Sequence, residues 1–364
     1  MKNIVIIGSG WATASFLKYL NLDENKYNII IISPSKKFIY TPLLVSSIFN
    51  NIDISYDILN INNKNNKQKY IEDKVKNINF DENYVVLSDS NIEYDYLVLA
   101  HGAEINTFNI QGVKENCMFI KDEDDVIKLR NKLVKLKKMS NIAVIGCGLT
   151  GTELIGNLLD TYNYNIYAID GLNGPLTIFN NNIIIQYIID LWRKNRIYLY
   201  FNHFVQKIDD KKIYLKDKSI NYDLAIWCGG IKANSLTLKI NEQLKHDSKI
   251  GIPVNEYLEV INTKNVYAIG DCSYNKLTPS AQVAYQEGKY LAKNFNKDFK
   301  KQKKFMFNNK GQICYIGKQK SVYSYKKTYF HGNLTGYLNN YIHLYNAINF
   351  EQSYTFLKDI FNKN

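Results

Sequence analysis

Residues 140–154 read SNIAVIGCGLTGTEL, and residues 2–12 read KNIVIIGSGWA. Each is a short apolar run that ends in Gly-x-Gly and continues into residues with helical spacing. A run apolar at every position suits a parallel strand buried on both faces. The first glycine permits a tight strand-to-helix turn. The second lets backbone approach a pyrophosphate, which then lies on the helix N-terminus. The repeat predicts an α/β chain with two Rossmann-like dinucleotide-binding domains.

The later copy is complete: Gly146, Gly148 and Gly151, with Thr150 before the third glycine and Glu153 two residues beyond it. Its next strand, Asn165–Ile169, leads to Asp170. An acid there meets the ribose hydroxyls of NAD and repels the 2′-phosphate of NADP. The opening copy, Gly8-Ser9-Gly10-Trp11, has Thr13 in place of the third glycine. After its partner strand, Tyr27–Ile32, it offers Ser33-Pro34-Ser35 rather than an acid, which weakens a ribose contact without excluding a dinucleotide.

Working outward, Lys69–Ser88 alternates like an antiparallel meander, and Ile92–Ala100 (IEYDYLVLA) is expected to return to the first sheet. The run NNKNNK at 62–67 reads as a solvated loop and KDFKKQKK at 297–304 as a linker or exposed edge. Helical spacing over Trp11–Leu20 and over about Thr150–Leu159 completes two βαβ units. Tyr222–Cys228 (YDLAIWC) echoes the earlier YDYLVLA. The stretch TKNVYAIGDC, 263–272, is a further buried strand delivering Gly270-Asp271 beside a helix. It resembles the second flavin fingerprint of flavoproteins with two dinucleotide domains, in which the aspartate contacts the ribityl and phosphate region of FAD. As a helix cap instead, Asp271 would have only a local role. Together the three motifs fix an order in which an NAD domain interrupts an FAD domain. The expected boundaries are 1–112 and 246–300 for FAD, 113–245 for NADH, and 301–364 for a C-terminal membrane-association or dimerisation segment.

The 364 residues are 46% hydrophobic and 22% charged, which suits a globular chain with a large core. No apolar run reaches the roughly 18–20 residues that span a bilayer. Ile4–Ile7 already reads as core strand, so no signal or transit peptide is expected. Five scattered cysteines without C-x-x-C argue for a reducing compartment and against a disulfide framework, a zinc site or thiol redox chemistry. The net charge of +12 accompanies heavy use of Asn, Ile, Lys and Tyr, but ten lysines against two acids fall in the last 64 residues. Such a tail suits an anionic membrane surface or nucleic acid.

Longer phrases bring the chain close to one family. They are GSGWATASFLK (8–18), ISPSKKFIYTPLL (32–44), YDYLVLAHGAEINTFNIQGV (94–113) and the GxGxxGxE run at 146–153. GIPVNEYLEV (251–260), AIGDC (268–272), AQVAYQEGKYLAKN (281–294) and CYIGKQKSV (314–322) continue the match along nearly the whole length. The chain resembles the type II, single-subunit, non-proton-pumping NADH:quinone dehydrogenases.

The resemblance implies tightly held, non-covalent FAD, NADH as co-substrate and a quinone as acceptor. Hydride would pass from nicotinamide C4 to flavin N5, and two electrons then to quinone. It puts Gly8, Ser9, Gly10, Trp11, Ser33, Thr41, Pro42, Gly102 and Asp271 at FAD. Gly146, Gly148, Thr150, Gly151 and Asp170 fall at NADH, with Glu153 near the nicotinamide. Gln282 and Gln286 match glutamines that border flavin and quinone, and Lys320 matches a lysine near the quinone pocket. No metal cluster is required.

The sequence departs from the family at His101, where a small or apolar residue is expected, and at Cys228-Gly229-Gly230. Its tail is shorter and more polar and lacks the family's tryptophan-and-arginine membrane helix. Leu334, Tyr337, Leu338, Tyr341, Ile342, Tyr345 and Ile348 nonetheless line one helical face. Tyr354, Leu357, Ile360 and Phe361 form a second short stripe. With Lys326 and Lys327 nearby, the pair reads as interfacial helices on a bilayer, making the protein peripheral and facing a reducing compartment. Packing of that face on the protein itself is the alternative, and a tail-mediated homodimer would suit the family. Sulfide:quinone and disulfide reductases and ferroptosis-suppressor-type quinone reductases share the architecture. An apoptosis-inducing-factor-like flavoprotein that binds nucleic acid is the non-enzymatic rival and the less favoured one.

Overall fold

Apolar runs and glycine turns become two parallel sheets of the same plan. The computed structural model describes residues 1–23, 25–50, 52–61, 68–297, 299 and 302–348. One five-stranded sheet has the order Val266–Ala268, Tyr96–Leu99, Lys2–Ile7, Tyr27–Ser33, Gln68–Glu72, parallel throughout. The other has the order Cys117–Met118, Leu224–Trp227, Asn141–Ile145, Asn165–Asp170, Tyr198–Phe201, again parallel. In both, the strand that feeds the glycine turn is central, so its carboxyl end opens at the crevice where such sheets bind ligands.

The chain divides into two compact units. The first comprises Met1–Tyr40, Ser55–Glu104 and Ile231–Asn308; the second comprises Thr41–Ile54, Ile105–Gly230 and the residues from Asn309 on. These breaks differ from boundaries at 112, 245 and 300, and local packing explains why 41–54 and the tail fall in the second unit. The helix Leu44–Phe49 packs on Glu123–Lys135 and Leu149–Thr161. Arg130 secures it by donating from Nε to Ile48 O at 3.2 Å and from Nη2 to Asn50 O at 3.3 Å and to Ser47 O. The tail joins the second unit because Gly156 meets the hairpin at Gly317: a Cβ on Gly156 would lie 2.6 Å from Gly317 N.

In the first unit, one sheet face packs Val5, Ile7, Leu97, Leu99, Val266 and Ala268 against Ile78 and Val85 of a small antiparallel meander. In the second, Ala143, Ile145, Ala225 and Trp227 meet Ile208, Ile213 and Ile220 of another meander. Each fully buried valine, leucine or isoleucine among them contributes roughly 1.5–3 kcal/mol.

The expected meander over 69–88 is corrected. Gln68–Glu72 is the parallel edge of the sheet, and the meander is Asn77–Asn79, Tyr84–Val86 and Asn91–Glu93. Alternation alone could not distinguish them, because an edge strand of a parallel sheet also has a polar side. For the same reason 92–100 divides: Asn91–Glu93 closes the meander, and only Tyr96–Leu99 returns to the sheet. The NNKNNK run lies outside the described residues. Residues 302–311 form no strand or helix, but Phe305 N donates to Glu256 O at 2.7 Å.

After Gln312–Gly317, Lys320–Tyr325 and Thr328–Gly332, an antiparallel sheet, comes the helix Asn333–Ile348. Its contact face is the reverse of the usual one. Thr335 and Asn339 are 4% and 7% exposed, and a Cβ on Gly336 would lie 2.3 Å from Gln319 O. Leu334, Tyr337 and Tyr341 are 85%, 69% and 62% exposed. The small and polar side is therefore packed, and the apolar stripe points outward. The second stripe expected at 354–361 lies outside the described residues, as do the side chains of Tyr345 and Ile348.

Candidate functional site

In the first unit, the strand Lys2–Ile7 runs into Gly8 at φ +110°, where an added Cβ would lie 2.3 Å from Ala100 O. Only glycine fits this conformation at this approach. Gly10 is the N-cap of Trp11–Tyr19, has no side-chain cap, and would present a Cβ to open space. The first amides of that helix thus have no side-chain cap and open space beside the cap residue, the arrangement that takes a phosphate. Thr13, standing for the third glycine, donates from Oγ1 to Gly8 O at 2.9 Å. The incomplete motif is braced by that hydroxyl.

Ser9 Oγ donates to Ser35 O at 2.7 Å and lies 3.1 Å from Ser33 Oγ, closing the loop where the acid is missing. Trp11 packs with its ring centroid 5.2 Å from Phe38 and 5.1 Å from Tyr40.

Asp271 lies in a single turn, Gly270–Cys272, and not at a helix start. The helix that follows is Ala281–Phe295, capped by Ser280, whose Oγ accepts from Val283 N at 3.2 Å. Capping is therefore not the role of Asp271. Burial pushes its carboxyl up.

The turn is held by a residue that the motif reading missed, the fully buried Glu287. Gly270 N and Asn275 Nδ2 each donate to it at 2.5 Å, and Ser273 Oγ at 3.5 Å. Burial outweighs these bonds and takes the carboxyl up to about 8. Its signal was available: a glutamate sits amid Val283, Ala284, Gly288, Leu291 and Ala292, the buried stripe of one helix. One residue earlier, Gln286 donates from Nε2 to Asn308 O and accepts from Asn308 N, both at 2.9 Å. Its amide fastens a peptide. Gln282 lies one turn before it. Gly102 follows the strand Tyr96–Leu99, and Asn234 Nδ2 donates to Gly102 O at 3.3 Å.

In the second unit the turn is built alike. Gly146 has φ +95°, with Cys228 O 2.5 Å from an added Cβ. Gly148 caps Leu149–Thr161 without a side-chain bond and faces open space, and Thr150 is exposed in the first turn. Gly151 is needed here, because its Cβ would lie 1.8 Å from Gly146 O. Asp170 accepts from Cys147 N at 2.6 Å and from Leu172 N at 2.8 Å. Its carboxylate thus ties the glycine loop to the next strand and keeps lone pairs that can accept further donors.

Glu153 is half-buried and accepts from Ser46 Oγ at 3.3 Å; desolvation pushes it up to about 8. Lys320 opens a hairpin strand opposite Gly317 and is half-buried. Thr41 and Pro42, expected with the flavin set, form a turn leading into Leu44–Phe49 and belong to this second unit. All five cysteines are free, and burial pushes Cys117, Cys228 and Cys272 up to about 12.

A sequence profile described as pyridine nucleotide-disulphide oxidoreductase matches residues 2–288. The chain belongs to this family. Among relatives is the external NADH-ubiquinone oxidoreductase 2, mitochondrial, of Saccharomyces cerevisiae. It is 30% identical over an alignment 350 positions long, gaps included, that covers 81% of this chain and 62% of that protein. A probable NADH dehydrogenase of Dictyostelium discoideum is 29% identical over an alignment 366 positions long, gaps included, that covers 88% of this chain and 80% of the relative. This chain spans about three fifths of the length of the yeast relative. Its fold is that of NDH2 from Plasmodium falciparum, solved in complex with NADH, with a TM-score of 0.91 at 24% identity over 98% and 97% of the two chains. Among the described residues no helix is long and apolar enough to cross a membrane.

Proposed function

We propose that this chain is a type II NADH:quinone oxidoreductase, with FAD held by the first unit and NADH by the second. The observation that carries the reading is the duplicated uncapped helix N-terminus, each behind a glycine that only backbone can approach. The orphaned, buried Nδ1 of His101 beside the first turn also fits a bound group. Bound FAD supplies a centre that takes a hydride from NADH and passes two electrons to a quinone, with no proton pumping.

The chain supplies position and charge. The amides after Gly8, Ser9 and Gly10 and those after Gly146 and Gly148 neutralise pyrophosphates. Ser33 and Trp11 flank the first dinucleotide, as do Gly102 and Asp271. Asp170 holds the NADH ribose and disfavours a 2′-phosphate. Glu153, protonated near neutral pH, gives the nicotinamide a hydrogen-bond donor without a negative charge. Thr41 and Pro42 stand in the turn before Leu44–Phe49, where Ser46 steadies Glu153. Gln282 and Lys320 are quinone-side residues, and Gln286 acts by holding Asn308. The raised cysteine thiols weigh against the disulfide-reductase alternative, which needs a thiolate.

The outward stripe Leu334, Tyr337, Leu338 and Tyr341, with Lys326 and Lys327 on the adjoining turn, fits the surface of an anionic bilayer, where a long-tailed quinone resides. The protein is peripheral in this reading. A homodimer would cover the same stripe and would appear as concentration-dependent mass without vesicle binding. The test is anaerobic: the yellow protein is mixed with NADH, then with a short-chain quinone, while the flavin band is followed. Bleaching and recovery are expected. Bleaching reversed only by oxygen refutes the quinone step, and colourless protein that takes up no flavin refutes the whole reading.

A further inference from the structure

The strand Tyr96–Leu99 lies between the strand that ends at Gly8 and the strand that ends before Gly270. The residues just past its carboxyl end, His101 and Gly102, are therefore flanked on both sides by the two flavin-motif turns. The approach is close: Gly8 could not carry a Cβ without meeting His101 Cα at 2.9 Å, and Cys272 Sγ donates to Leu99 O at 3.2 Å. This is the position at which the sequence departs from a small or apolar residue.

His101 Nε2 is 2.9 Å from Oγ1 of Thr237, a fully buried residue on the helix Ser235–Gln243. That bond orients the ring. The other nitrogen, Nδ1, is buried and has no hydrogen-bond partner. Burial holds the imidazole down at about 4, so the ring is neutral and one nitrogen carries the proton. A buried unpaired polar atom is costly, and sheet topology places this one at the ligand edge, so a ligand atom is its natural partner.

We propose that His101 is a flavin-binding residue whose Nδ1 hydrogen-bonds an oxygen of the dinucleotide held between the Gly8 and Asp271 turns, while Nε2 anchors the ring to Thr237. The inference rests on the reading that the first unit holds FAD. It adds a contact that no glycine or acid motif supplies, and it joins Ser235–Gln243 to the cofactor through one ring.

The test is a comparison of flavin-free and flavin-loaded protein. His101→Phe keeps the ring volume and removes both nitrogens; His101→Asn keeps a polar group near the place of Nδ1. In the flavin-free form the Phe variant is expected to melt close to wild type, because losing the unsatisfied Nδ1 offsets losing the bond from Nε2 to the buried Thr237 hydroxyl. In titrations of the apoprotein its Kd for FAD rises about tenfold or more, and the Asn variant stays within about threefold of wild type. Wild-type affinity in His101→Phe overturns the inference, as does an Asn variant as weak as Phe, because a polar group returned to the place of Nδ1 would then recover nothing. Should the Phe variant not fold, His101→Ala reads the same Kd. If wild-type apoprotein takes no FAD, the cofactor reading has failed; if it binds and His101→Phe binds equally, only the His101 contact has.

Discussion

The burial of Glu153 predicts an unusual pH dependence. Its ordinary value of 4.5 is raised to about 8 by desolvation. A group raised in the fold favours the protonated native state. Its contribution is thus complete below the unfolded value and is lost as pH rises through the folded one. Between those limits each pH unit removes about 1.4 kcal/mol. Glu153→Gln keeps the shape and an acceptor for Ser46 Oγ but cannot ionise. Relative to wild type, it should gain about 2.7 kcal/mol of stability between pH 5.5 and 7.5. Glu287 has a similar slope, but it is present in both proteins and cancels in the difference. At roughly 2–4 °C per kcal/mol for a unit of this size, the melting temperature of the variant minus that of wild type should rise by about 5–10 °C over the interval. The assay is thermal unfolding in matched buffers at pH 5.5, 6.5 and 7.5, run on the flavin-loaded proteins. A flat difference, or a variant less stable than wild type at pH 7.5, would show that the carboxyl is ionised in the fold and that the desolvation argument fails.

Gly151→Ala places a Cβ 1.8 Å from Gly146 O; flavin content should survive while bleaching by NADH slows at least tenfold in stopped flow. Thr13→Ala, which removes the brace on Gly8 O, should cost about 1 kcal/mol in thermal unfolding and raise the Kd for FAD, leaving the KM for NADH unchanged. Asp170→Ser should raise the KM for NADH about tenfold and narrow the preference over NADPH; an unchanged ratio of kcat/KM values would remove Asp170 from ribose recognition. Leu334→Asp with Leu338→Asp should release the protein from anionic liposomes in sedimentation without altering NADH oxidation by a soluble quinone, since both side chains point outward. Undiminished co-sedimentation would locate the membrane contact elsewhere.

Much of the site was legible because it depends on local backbone rules. Gly8, Gly146 and Gly151 announce places where a Cβ has no room, and the strand-glycine-helix order is itself the constraint. Asp170 could be placed by counting, because the acid that follows a glycine turn of this kind falls about 20 residues beyond it. Glu287 and Gln286 carry no such local rule. They are neighbours on one helix, yet one turns inward to hold Gly270 and the other reaches Asn308, and only the helix orientation separates those fates. The place of the edge strand Gln68–Glu72 is not legible, because strand alternation does not say whether the partner runs parallel.

From its sequence alone, the chain is identifiable as two interleaved dinucleotide-binding sheets of the same plan, because runs of apolar residues and obligatory glycines constrain the backbone wherever they occur. Tertiary structure decided which polar groups are deprived of water. It made Glu153 and Glu287 reluctant to ionise and left His101 with one nitrogen unpaired. It also turned the terminal helix so that threonine, glycine and asparagine face the protein while leucine and tyrosine face out. Those outcomes depend on what lies across each side chain in space, and residue order does not specify that.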